Sequence, residues 1–150
     1  MLKIIKDKIK FDEVSAHCDV PCGLYDPQSA LMAANTVKIM VKQIRDIEKS
    51  DQYISNPASI QVQNDLTRRI IVKEKHAELC KKEILILWTD YFKPEDLPIA
   101  ENLHEEIWKT VKLASYNKQN VDTQKSEELY SQVEKIAELF NKVVEERKTK

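Results

Sequence analysis

Beyond residue 26, apolar residues recur three and four positions apart over most of the chain, the spacing of helices that each bury one face. Asp26-Pro27 offers a capping carboxylate followed by proline at the first helical position. It predicts a helix to about Lys49 with Ala30, Ala34, Val37, Val41, Ile44 and Ile47 on one face. Ser50 to Asn56 reads as a polar connection. Asn56-Pro57 repeats the cap signal and opens a second helix to about Tyr91, with Leu66, Ile70, Leu79 and the run Ile84 to Trp88. At 1.5 Å per residue it would extend about 50 Å, long enough to contain a break. Pro94 and Pro98 stop it and mark a loop. A third helix carries Leu103, Ile107, Val111 and Ala114. Asn120 or Asp122 caps a fourth, on which Leu129, Val133, Ile136, Phe140 and Val143 share a face. Short connections favour antiparallel neighbours, so the pattern predicts an all-α, up-down antiparallel four-helix bundle. Trp88 and Trp108 are expected in the core or at an interface, and Cys80 is expected to be a small buried residue.

Composition narrows the function classes. Among 150 residues there is one glycine, Gly23. No glycine-rich phosphate or dinucleotide loop can be built from it, and a fold rich in tight hairpin turns is disfavoured. Lysine and arginine number 24 against 25 acidic residues, a net charge of −1. That balance excludes a nucleic-acid partner held by a basic surface. No apolar run approaches 18 residues, so no membrane partner is expected. The chain shows no internal repeat and no second domain.

Chemistry concentrates near the N-terminus. Residues 1–16 are broken by Lys3, Lys6, Asp7, Lys8 and Lys10, which leaves no apolar core for a secretory signal and predicts a cytoplasmic location. Yet Val14-Ser15-Ala16 resembles the small-residue pattern that ends a leader. There follows His17-Cys18-Asp19-Val20-Pro21-Cys22, two thiols and an imidazole within six residues, in a stretch that proline and Gly23 keep out of helix. The donors suit a soft metal. A structural zinc site would need a second ligand pair, and none is present; Cys80 stands far off on a helix. A thioredoxin-like motif has two residues between its cysteines, whereas here there are three and no strand pattern surrounds them. If the chain were cut after Ala16, the α-amine of His17, the amide nitrogen of Cys18 and two thiolates would form a square-planar set. Such a set points to Ni(II) or Cu(II), with the His17 imidazole as an additional axial donor.

The segment HCDVPCGLYDP (17–27) resembles the nickel-binding hook of the nickel superoxide dismutases, whose mature chains begin His-Cys-Asp-x-Pro-Cys-Gly-x-Tyr. LWTDYFKP (87–94) resembles that family's second signature, and Lys73-Glu74 and Ala77-Glu78-Leu79 fit the segment before it. The resemblance spans most of the chain after residue 16. It implies a four-helix bundle with an irregular N-terminal metal-binding hook, made as a precursor. Residues 1–16 would be a leader and 17–150 the enzyme, the hook at 17–25 and the bundle at 26–150.

The resemblance implies these roles. His17 supplies its α-amine and, in the oxidised state, an axial imidazole. Cys18 supplies amide nitrogen and thiolate, and Cys22 a second thiolate. Pro21 shapes the hook through a cis peptide bond before it. Tyr25 lines the substrate access, Asp19 packs behind the hook, and Tyr91 is a second tyrosine close to the site. The implied reaction is disproportionation of superoxide to dioxygen and hydrogen peroxide by a Ni(II)/Ni(III) cycle, with one nickel ion per subunit and homohexamers as the assembly. A maturation protease cleaving after Ala16 is a further implied partner. One departure stands out. Family members carry a glutamate in the first helix and an arginine in the second that orient the histidine ring, and those positions are Ala33 and His76 here, leaving His76 as the candidate partner. The rival reading is a non-enzymatic helical carrier of nickel, copper or zinc that uses the same hook.

Overall fold

The computed structural model describes residues 24–149. Four long helices make the bundle: α1 (Gln28–Glu48), α3 (Ile60–Ile86), α4 (Leu103–Gln119) and α5 (Thr123–Lys148). A one-turn helix, α2 (Asp51–Ser55), links α1 to α3. Among the described residues there is no strand. Helix α1 packs on α3 and α5, α3 also on α4, and α4 on α5, which closes a ring of neighbours. The directions alternate. The C-terminal end of α1 meets the N-terminal end of α5 where Arg45 donates to the carbonyl of Val121 at 2.6 Å. At the opposite end, Tyr25 ahead of α1 meets Tyr91 beyond α3.

Most of the predicted apolar positions are buried or half-buried, the exceptions being Leu79 on α3 and Trp88, which are exposed. Ala30, Ala34, Val37, Val41 and Ile44 of α1 are buried, as are Leu103, Ile107 and Ala114 of α4. All five predicted residues of α5, Leu129, Val133, Ile136, Phe140 and Val143, are buried too. Burying such side chains contributes roughly 1.5–3 kcal/mol each. The caps act as the sequence suggests at two helices. The Asp26 carboxylate accepts the Gln28 N–H at 2.7 Å ahead of α1, and Asp122 accepts the Lys125 N–H at 3.0 Å ahead of α5.

Three expectations need correction. The stretch from Ser50 to Asn56 contains a helix instead of a plain connection, because Ser50 accepts the Tyr53 N–H and caps α2. Asn56-Pro57 does not open the next helix; Asn56 ends α2, Pro57 lies in a turn, and α3 begins at Ile60. Of the two placements expected for Trp88 and Trp108, the core is corrected: they are 38% and 60% exposed on the outward side of their helices, and the interface placement stands as an expectation.

Helix α3 does not run unbroken to Tyr91. Its last turn, Leu87–Tyr91, widens to a π turn in which the Phe92 N–H reaches the Leu87 carbonyl at 3.1 Å. The extra residue rotates the chain before Pro94 opens a 3-10 turn, Pro94–Asp96. Single π turns inside α-helices are uncommon overall and are frequent at functional sites.

Candidate functional site

His17, Cys18, Asp19, Pro21 and Cys22 lie outside the described residues. The described chain begins just beyond them, and it brings the two remaining candidates together. Tyr25 and Tyr91 face each other with ring centroids 5.6 Å apart and planes inclined by 54°. The π turn sets Tyr91 in place. Its ring lies 4.3 Å from that of Phe140 on α5 and 5.2 Å, edge to face, from Phe92. Such aromatic contacts favour tilted and edge-on arrangements and hold a ring in one orientation. Tyr91 is half-buried, and burial raises its phenol above the ordinary value, against an opposing pull from Arg147. At neutral pH its hydroxyl therefore keeps its proton.

A charged clamp backs the pair. Arg147, near the end of α5, binds the Asp96 carboxylate through Nη2 at 2.5 Å and Nε at 3.3 Å. Its Nη2 also donates to the Tyr91 carbonyl at 3.2 Å, and its guanidinium lies 4.5 Å above the Tyr91 ring. Asp96 is buried, and it accepts the Lys93 N–H at 2.8 Å, which fixes the 3-10 turn.

The other candidates divide. Ala33 is buried in the core of the bundle. His76 is half-buried on α3, with Nδ1 2.8 Å from the Val72 carbonyl. A carbonyl only accepts, so Nδ1 carries the proton and Nε2 of the neutral ring is left as an acceptor. Cys80 is fully buried, as expected, and desolvation pushes its thiol up to about 12. Among the described residues no group of three or more His, Cys, Asp or Glu is placed to hold a metal. His104 is exposed and accepts the Trp88 indole N–H at 2.9 Å.

Sequence reasoning passed over Asp96 and Arg147, and took Lys73 only as part of a segment that fits the family. Lys73 carried a signal, because it continues the stripe Leu66, Ile70, Lys73, Ala77, Cys80, Ile84 where an apolar residue belongs. Asp96 and Arg147 carried none: one sits in a proline loop, the other in a basic tail.

The profile of the nickel-containing superoxide dismutases matches residues 12–143. The chain belongs to that family. It is 35% identical over 126 residues to "Superoxide dismutase [Ni]" of Streptomyces coelicolor, covering 82% of this chain and 86% of the relative. With the protein of that name from Streptomyces seoulensis it shares 33% over 137 residues, 89% of this chain and 92% of the relative. Its fold is similar to the native nickel superoxide dismutase structure at 1.30 Å, with a TM-score of 0.70 and 29% identity, over 86% of this chain and 99% of the other. An apo structure of nickel superoxide dismutase is similar as well, with a TM-score of 0.68 and 27% identity over 82% and 99% of the two chains. The helical bundle and the nickel requirement inferred from the hook sequence are thus those of its family.

Proposed function

We propose that this chain is the precursor of a nickel superoxide dismutase in which residues 1–16 are a leader and residues 17–150 the enzyme. The observation that carries the placement of the site is the meeting of Tyr25 with Tyr91, which joins the end of the hook segment to the π turn of the family's second signature. The donor chemistry fits nickel. The segment 17–22 carries an imidazole and two thiols, soft donors of the kind nickel takes, and this supports the reading. On this reading the α-amine of His17, the amide nitrogen and thiolate of Cys18 and the thiolate of Cys22 hold the ion, and the His17 imidazole joins them in the oxidised state.

Nickel bound there would supply a one-electron Ni(III)/Ni(II) couple, through which two superoxide ions and two protons become dioxygen and hydrogen peroxide. The chain's own residues do the rest. Tyr25 and Tyr91 line the approach, and the protonated Tyr91 hydroxyl is a donor to an arriving anion. Their rings narrow the path and limit what larger molecules reach. Asp19 packs behind the hook. An uncut chain would offer no amine at His17, so removal of the leader would be the step that makes the site competent.

Assembly into homohexamers and a cytoplasmic location belong to the same reading. The exposed apolar side chains of Leu24, Met32 and Trp108 support a covering partner copy. Among the described residues no helix is long and apolar enough to cross a membrane.

Metal analysis of the processed protein beside a superoxide consumption assay tests the proposal. Nickel together with activity, both lost in Cys18→Ser and Cys22→Ser, is the expected result. Zinc or copper with no activity would establish the carrier instead.

A further inference from the structure

We propose that Arg147 is a positioning residue for the tyrosine pair, holding Tyr91 against Tyr25 through the Asp96 carboxylate. The proposal rests on the reading that Tyr91 lines the approach to nickel.

The geometry gives Arg147 three simultaneous tasks. It grips both oxygens of a buried carboxylate, it donates to the backbone of Tyr91, and it lies over the ring of that residue. Two of the three touch Tyr91 itself, and the third touches the turn that follows it. The π turn is intrinsically less regular than α-helix, so its terminal residue needs contacts from elsewhere in the fold. They come from the end of α5, 56 residues further along the chain. Phe140 packs against one part of the Tyr91 ring, and Arg147 lies over it. Between them the ring keeps the tilt that meets Tyr25.

Charge alone does not account for the arrangement. The guanidinium is neutralised by Asp96, so its net pull on an incoming anion is small. The planar fork is what matters, since it pairs with a carboxylate side-on while its face rests on an aromatic ring. A lysine ammonium keeps the charge and loses both features.

The test is a double-mutant cycle on the processed, nickel-loaded enzyme, with activity expressed per bound nickel. Arg147→Gln is expected to keep its nickel and lose about tenfold in activity, a modest case of the loss that misplacing a reacting neighbour causes. Tyr91→Phe keeps the ring and removes the hydroxyl, so Arg147 then has no hydroxyl to position. The double variant should therefore match Tyr91→Phe alone, and Arg147→Lys should not restore activity. Asp96→Asn, which weakens the clamp while leaving Arg147 in place, is expected to lower activity in the same direction and serves if Arg147→Gln folds poorly. Losses that multiply in the double variant, or full activity in Arg147→Gln or Arg147→Lys, would overturn the proposal. Full activity in Tyr91→Phe would instead remove the reading beneath it, and the proposal with it.

Discussion

Lys73 reaches across from α3 to the end of α4, where its Nζ donates to the carbonyl of Asn117 at 2.5 Å. The same ammonium donates to the carbonyls of Lys118 and Asn120 at 2.9 Å each. These are acceptors that a helix leaves open at its C-terminus, and a cation is favoured there by the helix dipole. Lys73 is 1% exposed, and burial lowers its pKa against an opposing pull from Glu74; the three carbonyls give the buried ammonium its hydrogen-bond partners. Lys73→Met fits the volume but leaves the buried Asn117 carbonyl, and the part-buried carbonyls of Lys118 and Asn120, without this donor. It should lower stability by about 3 kcal/mol, an unpaired buried group costing roughly 1–3 kcal/mol. Thermal unfolding checks this, with activity per nickel expected to stay near that of the parent.

Cys80 gives the fold an alkaline limit. Burial, with the Glu83 carboxylate adding to it, pushes its folded thiol up to about 12 from an ordinary value of 9.0. A folded value above the unfolded one means that stability from this group is whole below pH 9.0 and is lost as pH rises toward 12. Cys80→Ala opens a small cavity and should be the less stable protein at pH 8 by about 1 kcal/mol. The gap should narrow as pH climbs through 9 to 11. Urea unfolding midpoints across that range decide it, a constant gap being the contrary result.

Asn102 has a left-handed backbone, φ 59° and ψ 19°, just ahead of α4. Asparagine tolerates that region better than alanine does, and glycine tolerates it freely. Asn102→Ala is expected to cost about 1 kcal/mol and Asn102→Gly much less. Paired thermal melts would show the order, and equal losses would count against it.

Tyr25→Phe should separate chemistry from packing. The ring that meets Tyr91 is kept, so melting temperature should hold. Superoxide consumption per bound nickel should fall several-fold if the hydroxyl serves the approach. Unchanged turnover would leave Tyr25 as a packing residue.

Much of the fold was legible because helical periodicity records burial directly. The α5 stripe from Leu129 to Val143 is core without exception. The errors fell where local chemistry competes with periodicity. Ser50 could cap a helix or end one, and Asn56-Pro57 could open a helix or close one; only packing decides. Core and interface could not be told apart for the tryptophans, because apolar character alone does not say which side of a helix faces inward. Tyr25 and Tyr91 were named as candidates through the hook and second signatures, and the structure brings their rings together. Their contact was not legible, since the π turn that aims Tyr91 leaves no periodic trace. Arg147 was invisible for another reason: its partners Tyr91 and Asp96 lie over 50 residues away, at 56 and 51 positions. The proposed leader and the proposed ligands His17, Cys18 and Cys22 lie outside the described residues and rest on the sequence and its resemblance to the family.

The central claim is that a free amine at His17 completes the nickel site. Intact-mass measurement of purified, active, nickel-bearing protein addresses it without any substitution. The subunit is expected to begin at His17, lighter than the full chain by residues 1–16, which hold four lysines and three carboxylates. Active, nickel-bearing subunits that still carry Met1 would contradict the claim outright.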